Sequence, residues 1–164
     1  MNKHIRSLTS SDQTRVLEIY AMGLASKNAT FETQLPNWAT WDRKHLDSCR
    51  FACCFDDTLV GWSALTNVSP RECYSGVAEV SVYIDVVHHR QGIGSALLKI
   101  LVDESEANNI WTLQSSVFPE NRATVALHKK YGFRELGIRQ RIAKLDGQWR
   151  DTLIMERRSQ IVGL

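Results

Sequence analysis

Residues 77–100 read VAEVSVYIDVVHHRQGIGSALLKI, and they contain the most informative pattern of the chain: a strand that passes into a helix through two glycines. Apolar and polar residues alternate over 77–84, as in a half-buried strand, and apolar residues recur at helical spacing from Ile93 onward. Between the two, the N–H groups of residues 91–95 can point together at an anion, aided by the helix dipole. The pattern predicts a phosphate-binding loop or, if no ligand binds, a tight turn.

Spacing excludes two other glycine-rich phosphate sites. A P-loop requires Gly-x-x-x-x-Gly-Lys-Ser/Thr, and no such run occurs. A dinucleotide fingerprint requires a small residue three positions after its second glycine, where this chain has Leu97. Neither motif is therefore expected.

The rest of the chain predicts a mixed α/β sheet. The expected order is strand, two helices, three strands, helix, strand, helix and two strands, with the first helix capped by Ser10 and the second starting at Thr40. A helix over 119–133 ends at Gly132, and a final hairpin turns at Asp146–Gly147. Consecutive antiparallel strands followed by strand–helix units predict one domain, residues 1–164, with six to seven mostly antiparallel strands and about four helices.

Composition excludes several classes of protein. The 164 residues carry a net charge of +2 and are 43% hydrophobic and 23% charged, which is ordinary for a soluble domain. No run of like charges indicates nucleic-acid or membrane binding, and no signal peptide or membrane span is visible, so we expect a cytoplasmic protein. The four cysteines and five histidines lack metal-ligand spacing, so we expect no metal site. We expect the cysteines to be reduced and mostly buried.

Five ordered segments carry a resemblance to a known family. Residues 89–94, HRQGIG, resemble the Gln/Arg-x-x-Gly-x-Gly/Ala motif of the GCN5-related N-acetyltransferases (GNAT), with His89 where Gln or Arg is usual. NATFET (28–33), RECYSGVAEVSVYI (71–84), PEN with LHKKYGF (119–133) and GQWRD (147–151) are similar to the subgroup that acetylates phosphinothricin and methionine sulfoximine. The resemblance spans roughly residues 3–158 and implies a GNAT fold with splayed central strands.

The resemblance implies where acetyl-CoA binds as the cosubstrate. The glycine loop would hold its pyrophosphate, main-chain groups of a bulged strand would face the thioester carbonyl, and Asn121, read from the sequence alone as a helix N-cap, would contact the pantetheine arm. The expected cofactor-binding residues are Val82, Tyr83, Ile84, Arg90, Gln91, Gly92, Ile93, Gly94, Ser95 and Asn121.

Two residues are candidates for proton transfer. Glu79 places a carboxylate in mid-strand, which on sequence alone indicates either a base or an exposed or ion-paired position. The resemblance favours a general base. His128 lies four residues before Gly132, where many relatives have a tyrosine, so it could protonate the thiol or orient the substrate, or be an ordinary helix histidine. Tyr131 is expected only to pack, and Lys129 and Lys130 to be solvated.

The resemblance also implies an acceptor site. Its expected residues are Phe31, Glu32, Arg71, Cys73 and Tyr74, and Arg71 offers a fork that suits a carboxylate. Residues 149–151 share a feature with the subgroup near the pocket or a dimer contact, and a homodimer is implied.

The expected activity is transfer of acetyl from acetyl-CoA to the α-amino group of a small amino-acid analogue: phosphinothricin, methionine sulfoximine or methionine sulfone. Transfer would be direct, in a ternary complex, because no cysteine lies in the candidate strand. The alternatives are another acceptor, such as a polyamine, an aminoglycoside or a protein N-terminus, and a CoA-binding sensor without catalysis.

Overall fold

Seven strands and four helices follow one another in the predicted order in a computed structural model that describes residues 1–164. The strands are β1 (Lys3–Ser7), β2 (Phe51–Phe55), β3 (Thr58–Asn67), β4 (Val77–Ile84), β5 (Thr112–Val117), β6 (Arg134–Leu145) and β7 (Gln148–Arg158). The helices are α1 (Gln13–Ala25), α2 (Trp38–Lys44), α3 (Ile93–Ala107) and α4 (Arg122–Lys130). The α/β class and the element order are confirmed.

The strands form one sheet in the order β1-β2-β3-β4-β5-β7-β6. Only β4 and β5 are parallel, and they pair over just three residues each, Val77–Glu79 with Thr112–Gln114. Beyond Glu79 the two strands separate, which confirms the predicted splay. The predicted bulge in β4 is wrong, because β4 pairs with β3 in one unbroken register. The split therefore begins where pairing with β5 ends.

Successive side chains of β4 point to opposite faces of the sheet, and a different pair of helices packs on each face. Ala78 and Val80 pack with α3 in the largest hydrophobic cluster, against which Val82 and residues of α4 also pack. Tyr83 points to the opposite face, against the cluster that contains Val16 and Ile19 of α1 and Trp41 of α2. Glu79 shares that second face because residues two and four apart on a strand point the same way.

Both of the first two helices start differently from the prediction. A 3₁₀ turn, Ser10–Asp12, precedes α1, and Thr9 is its cap, with the Thr9 N–H donating to Asp12 Oδ2 at 2.7 Å. Asp12 also pairs with Arg6, whose hydrogen bond lowers the pKa of the carboxyl. Helix α2 begins two residues before Thr40, capped by Asn37. The earlier start of α2 follows from Asn37, whose side-chain oxygen accepts from the Thr40 N–H at 2.9 Å.

The β6–β7 hairpin forms the far edge of the sheet. Two register breaks leave Leu136 and residues 140–142 without direct partners on β7. Leu136, Ile138 and Ile142 are each about half exposed on β6. The structure thus leaves an apolar edge facing solvent.

Three of the four cysteines, Cys49, Cys53 and Cys54, are buried, as predicted, and burial raises the pKa of each thiol. Cys73 alone is exposed. None of the helices combines the length and the apolar character that a membrane span requires.

Candidate active site

The loop between β4 and α3 has the backbone of an anion-binding nest. Arg90 and Gly92 both have left-handed φ values, +62° and +73°, and Gly92 directly precedes the first turn of α3. Left-handed residues separated by one position turn successive N–H groups toward the same side, and the helix end adds a partial positive charge. The predicted phosphate loop therefore has a conformation that can hold a diphosphate.

The two glycines of the loop serve different purposes. Gly92 needs its positive φ, which side-chain-bearing residues rarely adopt. Gly94 is buried in α3, and a Cβ there would lie 3.0 Å from Ile84 Cδ1 and 3.3 Å from Leu127 Cδ2. Gly94 thus lets α3 approach both β4 and α4.

Polar side chains from distant elements flank the loop. The Nζ atom of Lys3, in β1, lies 3.4 Å from where a Cβ on Gly92 would be. On the other flank the Ser95 hydroxyl hydrogen-bonds the Tyr131 hydroxyl and accepts from Lys130 Nζ at 3.3 Å. The expectation that Tyr131 only packs is wrong, because its hydroxyl reaches the loop, and Lys130 is not simply solvated.

Asp85, the residue after β4, holds the start of the loop. Its carboxylate caps the following 3₁₀ turn by accepting from Val87 N–H at 3.0 Å and pairs with Arg15 of α1. Burial opposes ionisation of Asp85, but these hydrogen bonds outweigh it and leave its pKa below the ordinary value. Arg15 also donates to the Leu59 carbonyl at 3.0 Å, so α1, β3 and the loop are joined at one point.

Main-chain groups of β4 face the split only at alternate residues. The Asp85 N–H donates to Val60 O at 2.9 Å, so odd-numbered residues of β4 direct their main-chain groups to β3. Val82 and Ile84 direct theirs to the side where β5 has diverged. The prediction is wrong for Tyr83, whose main-chain N–H and C=O face β3 instead.

Glu79 lies at the last paired position before the split. Its carboxylate Oε2 accepts from Gln114 Nε2 at 3.0 Å, across the last β4–β5 pair. The carboxylate is partly buried and its partner is a neutral amide, so neither the fully exposed nor the ion-paired alternative applies. An amide donor orients the carboxylate without neutralising it.

The Tyr83 ring lies on the face that carries Glu79. It stacks on Trp62 at 4.9 Å and meets the edge of Tyr20 at the same centroid distance. Burial, with Tyr20 and the carboxylates of Glu32 and Glu79 nearby, raises the pKa of Tyr83, so its hydroxyl stays protonated. The structure thus brings predicted residues Glu32 and Glu79 to one aromatic wall.

The other predicted acceptor residues fall into two groups. Phe31 packs edge-on against Phe118, just after β5, at 5.1 Å. Arg71, Cys73 and Tyr74 lie on the exposed β3–β4 connection, where the Arg71 guanidinium sits 5.4 Å from the centre of the Tyr74 ring. No ion pair holds Arg71, and no hydrogen bond joins this connection to Phe31 or Glu32.

His128 is buried in α4. Its Nδ1 donates to the Thr124 carbonyl at 2.7 Å if that nitrogen carries the proton, and its Nε2 is buried with no hydrogen-bond partner. Burial lowers the pKa of His128, so the ring is neutral near pH 7. In that tautomer the free Nε2 can accept a proton or a hydrogen bond but cannot donate one. The geometry therefore opposes a thiol-protonating His128.

Asn121 caps α4, as predicted, with its side-chain oxygen accepting from the Thr124 N–H at 3.3 Å. Four residues near the site carried no signal in the sequence analysis: Lys3, Tyr20, Gln114 and Tyr131. Gln114 could have been inferred, because it pairs with Glu79 once the strands are aligned. Lys3 and Tyr131 reach the loop through contacts between distant elements, which periodicity does not encode.

Comparisons with known proteins agree with this geometry. A family model described as "Acetyltransferase (GNAT) domain" matches residues 5–154. A Bacillus subtilis protein, named provisionally as a phosphinothricin acetyltransferase, is 28% identical over 158 residues, covering 93% of this chain and 97% of that protein. The L-methionine sulfoximine/L-methionine sulfone acetyltransferase of Pseudomonas aeruginosa is 24% identical over 162 residues, covering 95% and 94%.

Among solved structures, the chain is similar to a GNAT superfamily phosphinothricin acetyltransferase from Sinorhizobium meliloti in complex with acetyl-CoA. The TM-score is 0.90 at 22% sequence identity, and the match covers 99% of this chain and 91% of that one. The similarity confirms the predicted fold.

Proposed function

The chain belongs to the GNAT acetyltransferase family, and we propose that it moves acetyl from acetyl-CoA to the α-amino group of a small amino-acid analogue of the phosphinothricin or methionine sulfoximine type. The acceptor class rests on the two relatives named for these substrates. One observation carries the proposal: the nest at Arg90–Ser95 follows the end of β4 that β5 leaves unpaired beyond Glu79.

The residues present fit acetyl-CoA as the cosubstrate, which supplies an activated thioester. N–H groups over residues 91–95 would bind its diphosphate, with Arg90 and Lys3 adding positive charge. An extended pantetheine arm could pair with the free edge of β4 as an added strand, contacting Asn121 at α4. Val82 and Ile84 would supply the main-chain contacts there.

Main-chain donors of β4 would stabilise the transition state. Negative charge develops on the acetyl oxygen as the amine attacks, and a fixed N–H group aimed at that oxygen lowers the barrier. The N–H groups of Val82 and Ile84 face the split and have no partner on β5, so they are available for this role. Loss of one such donor in other enzymes slows turnover by about 10²- to 10³-fold.

We propose Glu79 as the general base. An α-ammonium group must lose a proton before it attacks, and Glu79 lies where the acceptor face of the sheet meets the split. His128 would help to orient the substrate through its free Nε2, rather than protonate the thiol. The departing thiolate would then take its proton from the amine or from water.

Acceptor recognition would combine three kinds of contact. Arg71 has no ion-pair partner and offers two parallel donors to the acceptor carboxylate. Phe31, Cys73 and Tyr74 would line the pocket, and Glu32 would attract the ammonium group. Cys73 is the only exposed cysteine and lies outside β4, which supports direct transfer without an acyl-cysteine. A homodimer and a cytoplasmic location remain proposals drawn from the family; sedimentation tests the first.

A thiol-release assay tests the function directly. Phosphinothricin, methionine sulfoximine and methionine sulfone should each release CoA, whereas spermidine and an N-terminal peptide should not. If only spermidine, an aminoglycoside or the peptide is acetylated, the proposed acceptor class is wrong and the acetylated compound indicates the correct one. Acetyl-CoA binding without turnover of any amine would indicate a sensor, and acetyl-cysteine trapped in the absence of acceptor would contradict direct transfer.

A further inference from the structure

The segment between α1 and α2 crosses the opening of the split sheet. Within it, residues 27–32, called the strap below, reach both diverging strands. Thr30 and Glu32 lie close enough to Tyr20 and Tyr83 to shift the pKa of both phenols, which places this end of the strap beside β4. Phe31 packs on Phe118 at the end of β5. The strap therefore spans the gap on the acceptor face.

The strap has little structure of its own. It contains no helix or strand residue, and its main-chain N–H groups donate only to near neighbours, as Asn28 does to Ser26 Oγ at 3.2 Å and Glu32 to Thr30 Oγ1 at 3.1 Å. Ordering each residue of such a segment is entropically unfavourable. Its position must therefore come from contacts with other elements.

Arg150 of β7 supplies the side-chain hydrogen bonds that hold the strap from another element. Its Nη1 donates to the Lys27 carbonyl at 2.9 Å, and its Nη2 donates to Asn28 Oδ1 at 3.3 Å. The guanidinium lies 3.8 Å from the centre of the Phe118 ring, the same ring that Phe31 contacts, and also pairs with Glu120 at 3.4 Å. Only 21% of the side chain is exposed.

A second link from the same hairpin is weaker. Lys27 Nζ pairs with Asp146 Oδ2 at 3.1 Å, but both side chains are more than half exposed. Exposed pairs of this kind contribute little because solvent and salt screen them. Arg150 is therefore the principal anchor between the hairpin and the strap.

We propose that Arg150 is a positioning residue that holds the strap across the split and so presents Phe31 and Glu32 to the acceptor. The inference rests on the proposed function for its substrate, but the anchoring itself does not depend on catalysis. In the proposed function the diphosphate of acetyl-CoA binds at the start of α3, which packs on the opposite face of the sheet from α1 and α2. Loss of Arg150 should therefore affect the acceptor rather than acetyl-CoA.

The first test is steady-state kinetics on Arg150→Ala and Arg150→Lys. If the freed strap is ordered only about a tenth of the time, the apparent affinity for acceptor falls about tenfold. KM for the acceptor should therefore rise about tenfold in Arg150→Ala, with KM for acetyl-CoA unchanged. Arg139→Ala is the matched control, because it removes an arginine from the same hairpin at an exposed site. Equal KM values for acceptor in wild type and Arg150→Ala would overturn the proposal.

The second test needs no activity. Hydrogen–deuterium exchange of the amides in residues 27–32 should be faster in Arg150→Ala than in wild type or Arg139→Ala, with exchange in α3 unchanged. Exchange at the wild-type rate would overturn the proposal even if no acceptor is turned over. A wild-type enzyme without turnover, but with faster strap exchange in the variant, would instead reject the proposed function alone. If Arg150→Ala fails to fold, Arg150→Lys and Asn28→Ala carry both tests.

Discussion

The carboxylate of Glu79 is held by an amide rather than by a cation, and this difference matters for its chemistry. An arginine or lysine partner would favour the ionised form and weaken the carboxylate as a base. Gln114 instead donates one hydrogen bond and leaves the second carboxylate oxygen free for the acceptor. The pair forms the only side-chain hydrogen bond between β4 and β5.

Replacing Glu79 by Gln should reduce turnover at least a hundredfold, because general bases contribute about 10²- to 10⁴-fold. Affinity for acetyl-CoA, measured by calorimetry, should not change, since the nest is on the other face. Gln114→Leu should lower turnover by about tenfold, because loss of one hydrogen bond to a charged group frees the carboxylate to rotate. Glu72→Gln, an exposed carboxylate in the β3–β4 connection, is the control. Full activity in Glu79→Gln would show that Glu79 is not the general base.

Helix α1 and strand β4 meet at a contact that requires glycine. A Cβ on Gly23 would lie 2.5 Å from Tyr83 Cε1, well inside van der Waals distance. The Tyr83 ring also packs on Trp62 and Tyr20, so it cannot move away from α1 without disturbing these contacts. The position of the Tyr83 ring, on the face of the sheet that carries Glu79, therefore depends on how closely α1 can approach β4.

The Gly23→Ala variant should be less stable than wild type by about 1–3 kcal/mol, the usual result of overpacking a filled core. Displacement of Tyr83 should also raise KM for the acceptor more than KM for acetyl-CoA. Urea unfolding and two-substrate kinetics measure the two effects. Thr14→Ala, at an exposed position of the same helix, is the control. A Gly23→Ala protein of wild-type stability would contradict the packing argument.

Buried histidines should make the stability of the whole chain depend on pH in mildly acidic solution. Burial lowers the pKa of His45 to about 4, and it lowers the pKa of His128 as well. An unfolded histidine has a pKa of about 6.5, so between pH 6.5 and 4 the unfolded chain binds more protons than the folded one. The free energy of unfolding therefore falls as pH drops through this range.

For His45 alone, the loss over the full range should be about 3 kcal/mol. Urea unfolding at several pH values between 7 and 4.5 measures it. His45→Phe keeps a ring against Trp41, where the histidine stacks at 4.1 Å, and should show a shallower pH dependence. Removing the exposed His4 by His4→Asn should leave the slope as in wild type. Parallel curves for wild type and His45→Phe would show that His45 does not contribute.

Much of the fold was predictable because local patterns encode it. The two-residue alternation in β4, the glycine spacing before α3 and the Asp146–Gly147 turn are short-range signals, and each predicted its element. The start of α1 was not, because Asp12 accepts from Thr9 and Arg6 and so closes a 3₁₀ turn over Ser10–Asp12 before the helix begins. The split was implied only by the family resemblance, since it depends on where two distant strands stop pairing.

The site was predictable only in part, for the same reason. The roles of Gly92 and Asn121 can be predicted from their neighbours in sequence. Tyr131, in contrast, contacts Ser95 across 36 residues, and Arg150 contacts Asn28 across 122. Such contacts follow from how helices and hairpin are placed on the sheet. Amino-acid spacing along the chain carries no record of that placement.

The unpaired outer edge of β6 also affects whether chains can associate through their sheets. A long, flat, unpaired strand can template aggregation, and proteins counter this with bulges and positive charges. Strand β6 has two register breaks and carries Arg139, Arg141 and Lys144. Another chain would therefore meet an irregular, cationic ladder there, which opposes fibril-like growth of the sheet at high concentration.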